Sequence, residues 1–240
     1  MWNFDRGYCY GVLLGDGFYE KAHQPRTPAR VMLKSIDRDF VEYWRDTIMR
    51  LCGTKYSIYI SKSKLANRHD LYLCRVYAPE FAIESFELTC KKTSIPDEIK
   101  NGIEEVKKGF IQGVMDSEGW ITARLCTFGP SRIQMTVGVT DPWLIDLHRM
   151  FEDIGVETGK IHIRKFSDNP KYLKPRKNLL YFDINIPEYV QAGLDFNIKR
   201  KSDRLAWCSK ILRDYTRDYP KYKDYFEMDD IVRPRDESPR

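Results

Sequence analysis

Apolar and polar residues alternate most clearly over residues 132–139. Ile133, Met135 and Val137 fall on one side there, and Arg132, Gln134 and Thr136 on the other. A period of two is that of a strand with one buried and one solvated face. Residues 160–166 repeat it, with Ile161 and Ile163 opposing Lys160, His162 and Arg164. So do residues 179–186, where Leu180, Phe182, Ile184 and Ile186 oppose Tyr181, Asp183 and Asn185. Residues 120–126 complete a set of four. The first half of the chain offers four weaker counterparts, over 18–22, 29–35, 55–62 and 71–77.

Between the second and third strand of each set the period lengthens to that of a helix. Phe40, Val41, Trp44, Ile48 and Leu51 follow Asp37 and stop at Gly53, and Trp143, Leu144, Leu147, Met150 and Phe151 follow Asp141-Pro142 and stop near Gly155. Pro79-Glu80 and Pro187-Glu188 each open a further helix, since proline suits a helix's first turn. A last helix falls within 197–215, with Leu205, Trp207 and Ile211 packing back. With one helix ahead of each strand set, the order is αββαββα, twice. That is an α+β fold of two pseudo-symmetric domains with antiparallel sheets. The expected boundaries are 1–92 and 98–216, joined by a linker at 93–97 and followed by a charged tail at 217–240.

The helix ahead of each set ends in a version of one motif. The copies read Cys9-Tyr10-Gly11-Val12-Leu13-Leu14-Gly15-Asp16-Gly17 and Ile111-Gln112-Gly113-Val114-Met115-Asp116-Ser117-Glu118-Gly119. Residues four apart share a helix face, and small ones there let two helices approach backbone to backbone. Gly11 and Gly15 against Gly113 and Ser117 are therefore the expected interface, with Gln112 pointing away. Gly17 and Gly119 suit the left-handed residue that often ends a helix. Asp16 and Glu118 then sit at helix C-termini, where the dipole disfavours an acid by roughly 0.3–1 kcal/mol unless a cation answers it. Helices packed along their glycine faces bring both acids to one end. Two carboxylates, with the Gly15 and Ser117 carbonyls, make a hard-oxygen site suited to Mg²⁺.

The two motifs resemble those of the LAGLIDADG homing endonucleases, in the single-chain form with two motifs, and the likeness runs over roughly residues 5–216. Leu14 stands where that family often has an acid and Tyr10 where it has a small residue. Glu118 is a substitution for Asp that the family accepts. The resemblance implies domains packed through their motif helices, with sheets forming a DNA-binding saddle. It implies a monomer that makes a metal-dependent double-strand break in a long asymmetric duplex. Mg²⁺ is the implied cofactor, with Mn²⁺ substituting and Ca²⁺ supporting binding without cleavage. One lysine per domain is implied to enter the active site; by position these are Lys91 and Lys199, with Lys92 and Lys201 as alternatives. The competing reading is an RNA maturase or DNA-binding regulator on the same scaffold. Retention of an acid in both motifs favours the enzyme.

Arg, Gln, Asn, Asp and His on one sheet face carry the donors and acceptors that read base edges in a major groove, whereas a merely soluble face tends toward Lys and Glu. The expected reading surface in the second half is Arg132, Gln134, Thr136, Lys160, His162, Arg164, Tyr181, Asp183 and Asn185. In the first half it is Arg30, Lys34, Tyr59 and Ser61, alongside Met32, Ser57 and Ser63.

Composition changes little. The 240 residues carry a net charge of +5, which permits nucleic-acid binding without demanding it. The distribution says more, because residues 160–215 hold 13 Lys and Arg against 6 Asp and Glu. Six cysteines occur singly, as expected of reduced core residues in an intracellular protein. The expected location is the cytoplasm of a prokaryote or phage-infected cell, with an organelle as the alternative. The four histidines lack metal-ligand spacing. No apolar run approaches the ~20 residues that cross a bilayer. The string Pro96-Asp97-Glu98-Ile99-Lys100 reads as the start of the helix leading into the second motif.

Overall fold

A computed structural model describes residues 2–20, 28–53, 55–61, 70–126, 129–165 and 177–218. The first half runs α1 (Phe4–Leu14), β1 (Phe18–Glu20), β2 (Arg30–Ser35), α2 (Arg38–Cys52), β3 (Lys55–Ser61), β4 (Leu71–Tyr77) and α3 (Pro79–Leu88). A single turn, α4 (Asp97–Lys100), intervenes. The second half repeats the order with α5 (Glu104–Glu118), β5 (Gly119–Cys126), β6 (Gly129–Val139), α6 (Leu144–Asp153), β7 (His162–Arg164), β8 (Leu179–Ile184) and α7 (Ile186–Gln191), and α8 (Lys199–Asp218) follows. The sheets have the same strand order, β1-β2-β4-β3 and β5-β6-β8-β7, with every neighbour antiparallel.

One face of each sheet is apolar, and the α2 and α6 stripes are buried with it. Val31, Leu33, Cys74 and Val76 are buried in the first half with Phe40, Val41, Trp44 and Ile48 of α2. Met135, Val137 and Phe182 are buried in the second with Leu144, Leu147 and Phe151 of α6. Gly53 and Gly155, at φ 58° and 75°, end those helices as the periodicity implies. Helix α1 is buried on every side from Gly7 to Leu14, the mark of a helix inside a core rather than on its surface.

Several expectations are corrected. Gly17 and Gly119 are not left-handed: Gly119 has φ −81° and ψ 145° and starts β5 directly. They are small because the turn is tight. A Cβ at Gly119 would lie 2.6 Å from the Met115 carbonyl oxygen, and one at Gly17 2.9 Å from the Leu13 Cα. Residues 97–100 form their own turn, and α5 starts only at Glu104 after a break. The proline of α7 stands where expected, but Asn185 leaves the sheet and caps this helix, its side chain accepting from the Glu188 N–H at 3.2 Å. Lys160 precedes β7 rather than joining it. Trp207 is exposed, whereas Leu205 is buried and Ile211 packs against the core as expected, with Cys208 and Leu212 buried beside them. Ser63 and the tail beyond 218 lie outside the described residues.

Candidate nucleic-acid cleavage site

The two motif helices meet backbone to backbone. A Cβ at Gly11 would sit 2.2 Å from the Phe110 oxygen, and one at Gly113 2.3 Å from the Tyr8 oxygen. The stripe is one residue longer on each helix than the motifs suggested, since Gly7 and Gly109 show the same collision, 2.3 Å from the Val106 oxygen and 2.1 Å from the Phe4 oxygen. Gly7-Gly11-Gly15 and Gly109-Gly113-Ser117 thus form two i, i+4, i+8 rows. A Cβ at Gly15 would touch the Ser117 Cβ at 2.4 Å and the Glu118 Cγ at 3.3 Å, so the ends bearing the acids abut. Gln112, expected to point outward, is buried.

Asp16 follows the C-cap of α1, and Glu118 is the last residue of α5. Burial and then the neighbouring charge of Asp16 push the Glu118 carboxyl up, Lys92 and Lys201 pull it back, and it stands at about 7. Burial also raises Asp16, countered first by Lys201 and then by Lys92. Asp16 is open to water on one side, which screens that effect. Two like charges that disfavour one another at a helix-end pair are relieved by a cation. That donor chemistry fits a divalent ion. Among the described residues no group of three or more His, Cys, Asp and Glu could hold a metal.

The lysines that reach this place are Lys92 and Lys201. The Lys92 Nζ donates to the Gly15 oxygen at 2.7 Å and the Gly17 oxygen at 2.5 Å. The Lys201 Nζ donates to the Asp116 oxygen at 2.6 Å and the Met115 oxygen at 3.1 Å. Burial lowers both, Lys201 to about 8. Lys91 and Lys199 are directed elsewhere. Lys91 is exposed with its amine over the Phe86 ring, and Lys199 pairs with Asp203 one helical turn on. Helical and turn geometry decides between adjacent lysines, and position in the repeat does not. The Gly15 carbonyl, expected to help hold a metal, is already engaged by Lys92. The Ser117 hydroxyl donates to the Gly113 oxygen at 3.1 Å within its own helix.

Sequence reasoning missed the support beneath the site. Asp116, 1% exposed, accepts from the Tyr8 hydroxyl at 2.8 Å, the Asn197 N–H at 3.0 Å and the Asn197 side-chain amide at 2.9 Å. Burial raises its carboxyl to about 6. Across the halves, Arg200 makes a two-pronged contact with Asp37 at 2.6 and 2.7 Å, and the Lys199 N–H meets Asp39 at 2.6 Å. Only the apolar–polar break at Asp116, inside an otherwise buried helix, pointed toward any of this.

Sheet register groups Gln134, Thr136, Tyr181, Asp183, His162 and Arg164 on one face, with Trp120 and Thr122 beside them. Thr136 is buried and donates to Asp183 at 2.7 Å, which leaves it no free hydroxyl proton. The Tyr181 and His162 rings stack at 5.3 Å. Arg132 shares the register, and its side chain lies outside the described residues, as do those of Tyr59 and Ser61. In the first half, Arg30, Lys34, Tyr59 and Ser57 share a face with Arg75, a central residue that alternation did not single out. Arg30 is held by Glu20 and Tyr77.

Glu118 fixes a pH test. Its folded-state value lies above the usual glutamate value, so between about pH 4.5 and 7 the folded chain holds a proton the unfolded chain has lost. Stability from this group is therefore present below that window and lost as pH rises through 7. A cation bound beside Glu118 would take the place of that proton. Added Mg²⁺ is expected to raise the melting midpoint more at pH 8 than at pH 6, and Glu118→Gln to remove the difference. Equal Mg²⁺ shifts at both pH values would take Glu118 out of the metal site.

Comparison with solved structures gives the fold of the LAGLIDADG homing endonucleases. The LAGLIDADG meganuclease I-AabMI bound to uncleaved DNA matches with a TM-score of 0.51 at 11% identity, over 92% of this chain and 98% of that one. The homing endonuclease I-WcaI bound to its DNA recognition sequence matches with 0.51 at 10% identity, over 82% and 85%. A variant of I-DmoI in complex with its target DNA and in the presence of Mn matches with 0.51 at 15% identity, over 78% and 90%. No protein-family model and no curated sequence matches the chain.

Proposed function

We propose that this chain, carrying the LAGLIDADG endonuclease fold, is a monomeric site-specific DNA endonuclease that hydrolyses both strands of a long asymmetric target. The observation that carries the reading is the pairing of Asp16 and Glu118 at abutting helix ends, with an amine from each half bonded to the adjacent backbone. An abandoned site has no need of two mutually repelling acids whose ionisation is disfavoured. Asp16 and Glu118 would hold divalent ions, Mg²⁺ by preference, which when bound lower the pKa of water and stabilise charge on a scissile phosphate. One acid per half matches one strand per half.

The chain's own groups do the rest. Lys92 and Lys201, held beside the acids with lowered proton affinity, each have an amine able to contact a phosphate oxygen or orient the attacking water. The outer sheet faces would lie in the major groove, phosphate contacts supplying affinity and polar side chains selectivity. A randomised duplex library incubated with Mg²⁺, with cleaved ends sequenced, tests the activity: one long non-palindromic consensus is expected, and absence of cut product with Mg²⁺ or Mn²⁺ overturns it. On that consensus, Arg164→Ala should relax preference at one or two positions of one half-site, by about 1–3 kcal/mol. A uniform loss across all sequences would make Arg164 a phosphate contact.

A further inference from the structure

We propose that Asp116 and Asn197 are positioning residues that deliver Lys201 to the paired carboxylates, while an unlike device, the turn Cys90-Lys91-Lys92, delivers Lys92. The catalytic consequence rests on the endonuclease reading; the placement of the amines does not.

Asp116 grips both ends of the segment that carries Lys201. Its carboxylate takes the backbone N–H and the side-chain amide of Asn197, and its own carbonyl takes the Lys201 Nζ. The turn between is closed by the Lys201 N–H to the Ile198 oxygen at 2.9 Å. Tyr8 ties the same carboxylate to the opposite motif helix. A nearly fully buried carboxylate is tolerated only where such donors replace its water, and three donors converge on this one. The acid is thus a fixed point from which the start of α8 is hung.

The first half has no such point, because Leu14 occupies the place in the first motif that Asp116 holds in the second. There the chain leaves α3 through Cys90, Lys91 and Lys92 at φ 44°, 63° and 73°. Consecutive left-handed residues other than glycine are avoided by sterics and persist where surroundings over-determine them, often at functional sites. The surroundings here are specific. The Lys91 N–H reaches the Phe86 oxygen at 3.3 Å and the Thr93 N–H the Thr89 oxygen at 2.9 Å. Thr89 is fully buried, its hydroxyl shared between the Ser85 oxygen and the Tyr19 hydroxyl. The result of the strained turn is that the Lys92 Nζ spans the Gly15 and Gly17 carbonyls.

Because the devices differ, each should fail alone. Competitive acetylation of the full chain with acetic anhydride, read by mass spectrometry, reports each amine without requiring cleavage. Asn197→Ala is expected to raise labelling of Lys201 several-fold and leave Lys92 unchanged. Lys91→Val, a β-branched residue at positive φ, should do the reverse, with Lys91→Gly keeping Lys92 protected. Asp116→Asn keeps the size but sets an amide NH₂ against one of the donors the carboxylate accepts, so it too should raise labelling of Lys201 and leave Lys92 unchanged. Unchanged Lys201 labelling in Asn197→Ala overturns the proposal. On the selected target, Asn197→Ala should slow one strand on the order of 100-fold more than the other, and this loss should vanish in a Lys201→Met background. Equal slowing of both strands, or an additive loss in that background, would reduce Asn197 to a purely structural residue. Labelling shifts as expected in a chain that cuts no DNA would leave the positioning intact and remove the endonuclease reading.

Discussion

Asp16→Asn is expected to abolish cleavage while duplex binding persists or tightens. The substitution keeps size and shape at an exposed position beyond the end of α1, so the fold should not register it. What it removes is one of the two charges that answer a cation. Loss of several kcal/mol of transition-state stabilisation corresponds to about a thousandfold or more in rate. Binding should not weaken, because the lost charge repels phosphate. Glu118→Gln is expected to behave alike, and Ca²⁺ to permit binding without cutting in the unaltered chain. Cleavage of a labelled duplex and a gel-shift titration, run side by side, separate the two effects. Full cleavage by either variant would sink the carboxylate assignment.

Gly113→Val is expected to cost both stability and activity. A Cβ there would be 2.3 Å from the Tyr8 oxygen, 2.9 Å from the Val12 N and 3.1 Å from the Tyr8 carbonyl carbon. All three are backbone atoms of the other motif helix, so no side chain can swing aside and the helices must separate. Overpacking of this kind costs about 3 kcal/mol or more, a fall of roughly 6–12 °C in melting temperature for a chain of this size. The same displacement parts Asp16 from Glu118. Gln112→Ala is no control, being itself a buried site. Glu105→Ala, exposed in the first turn of α5, should leave both measures unchanged. An unaltered melting temperature in Gly113→Val would mean that α1 and α5 do not pack along this stripe.

What the amino-acid order determined by itself was whatever depends on period and on repetition. Alternation at 132–139 and 179–186, helical spacing from Phe40 to Ile48 and the duplicated motif are local patterns, each read from residues a few positions apart. They were enough for two matched αββαββα units, a glycine seam and a pair of acids. Tertiary structure decided which of two neighbouring side chains points where. Lys91 and Lys92 are equally basic and adjacent, yet three positive φ angles send one amine to Gly15 and leave the other over Phe86. Lys199 and Lys201 share one helical turn, and the 100° step between residues turns only Lys201 toward Met115 and Asp116. Thr136 and Asn185 look like base readers in an alternating string, but the first is spent on Asp183 and the second on a helix cap. Asp116 looks like one more motif acid until Tyr8 and Asn197, 108 and 81 residues away, close around it. Such contacts join positions far apart in the chain, and no local period encodes them.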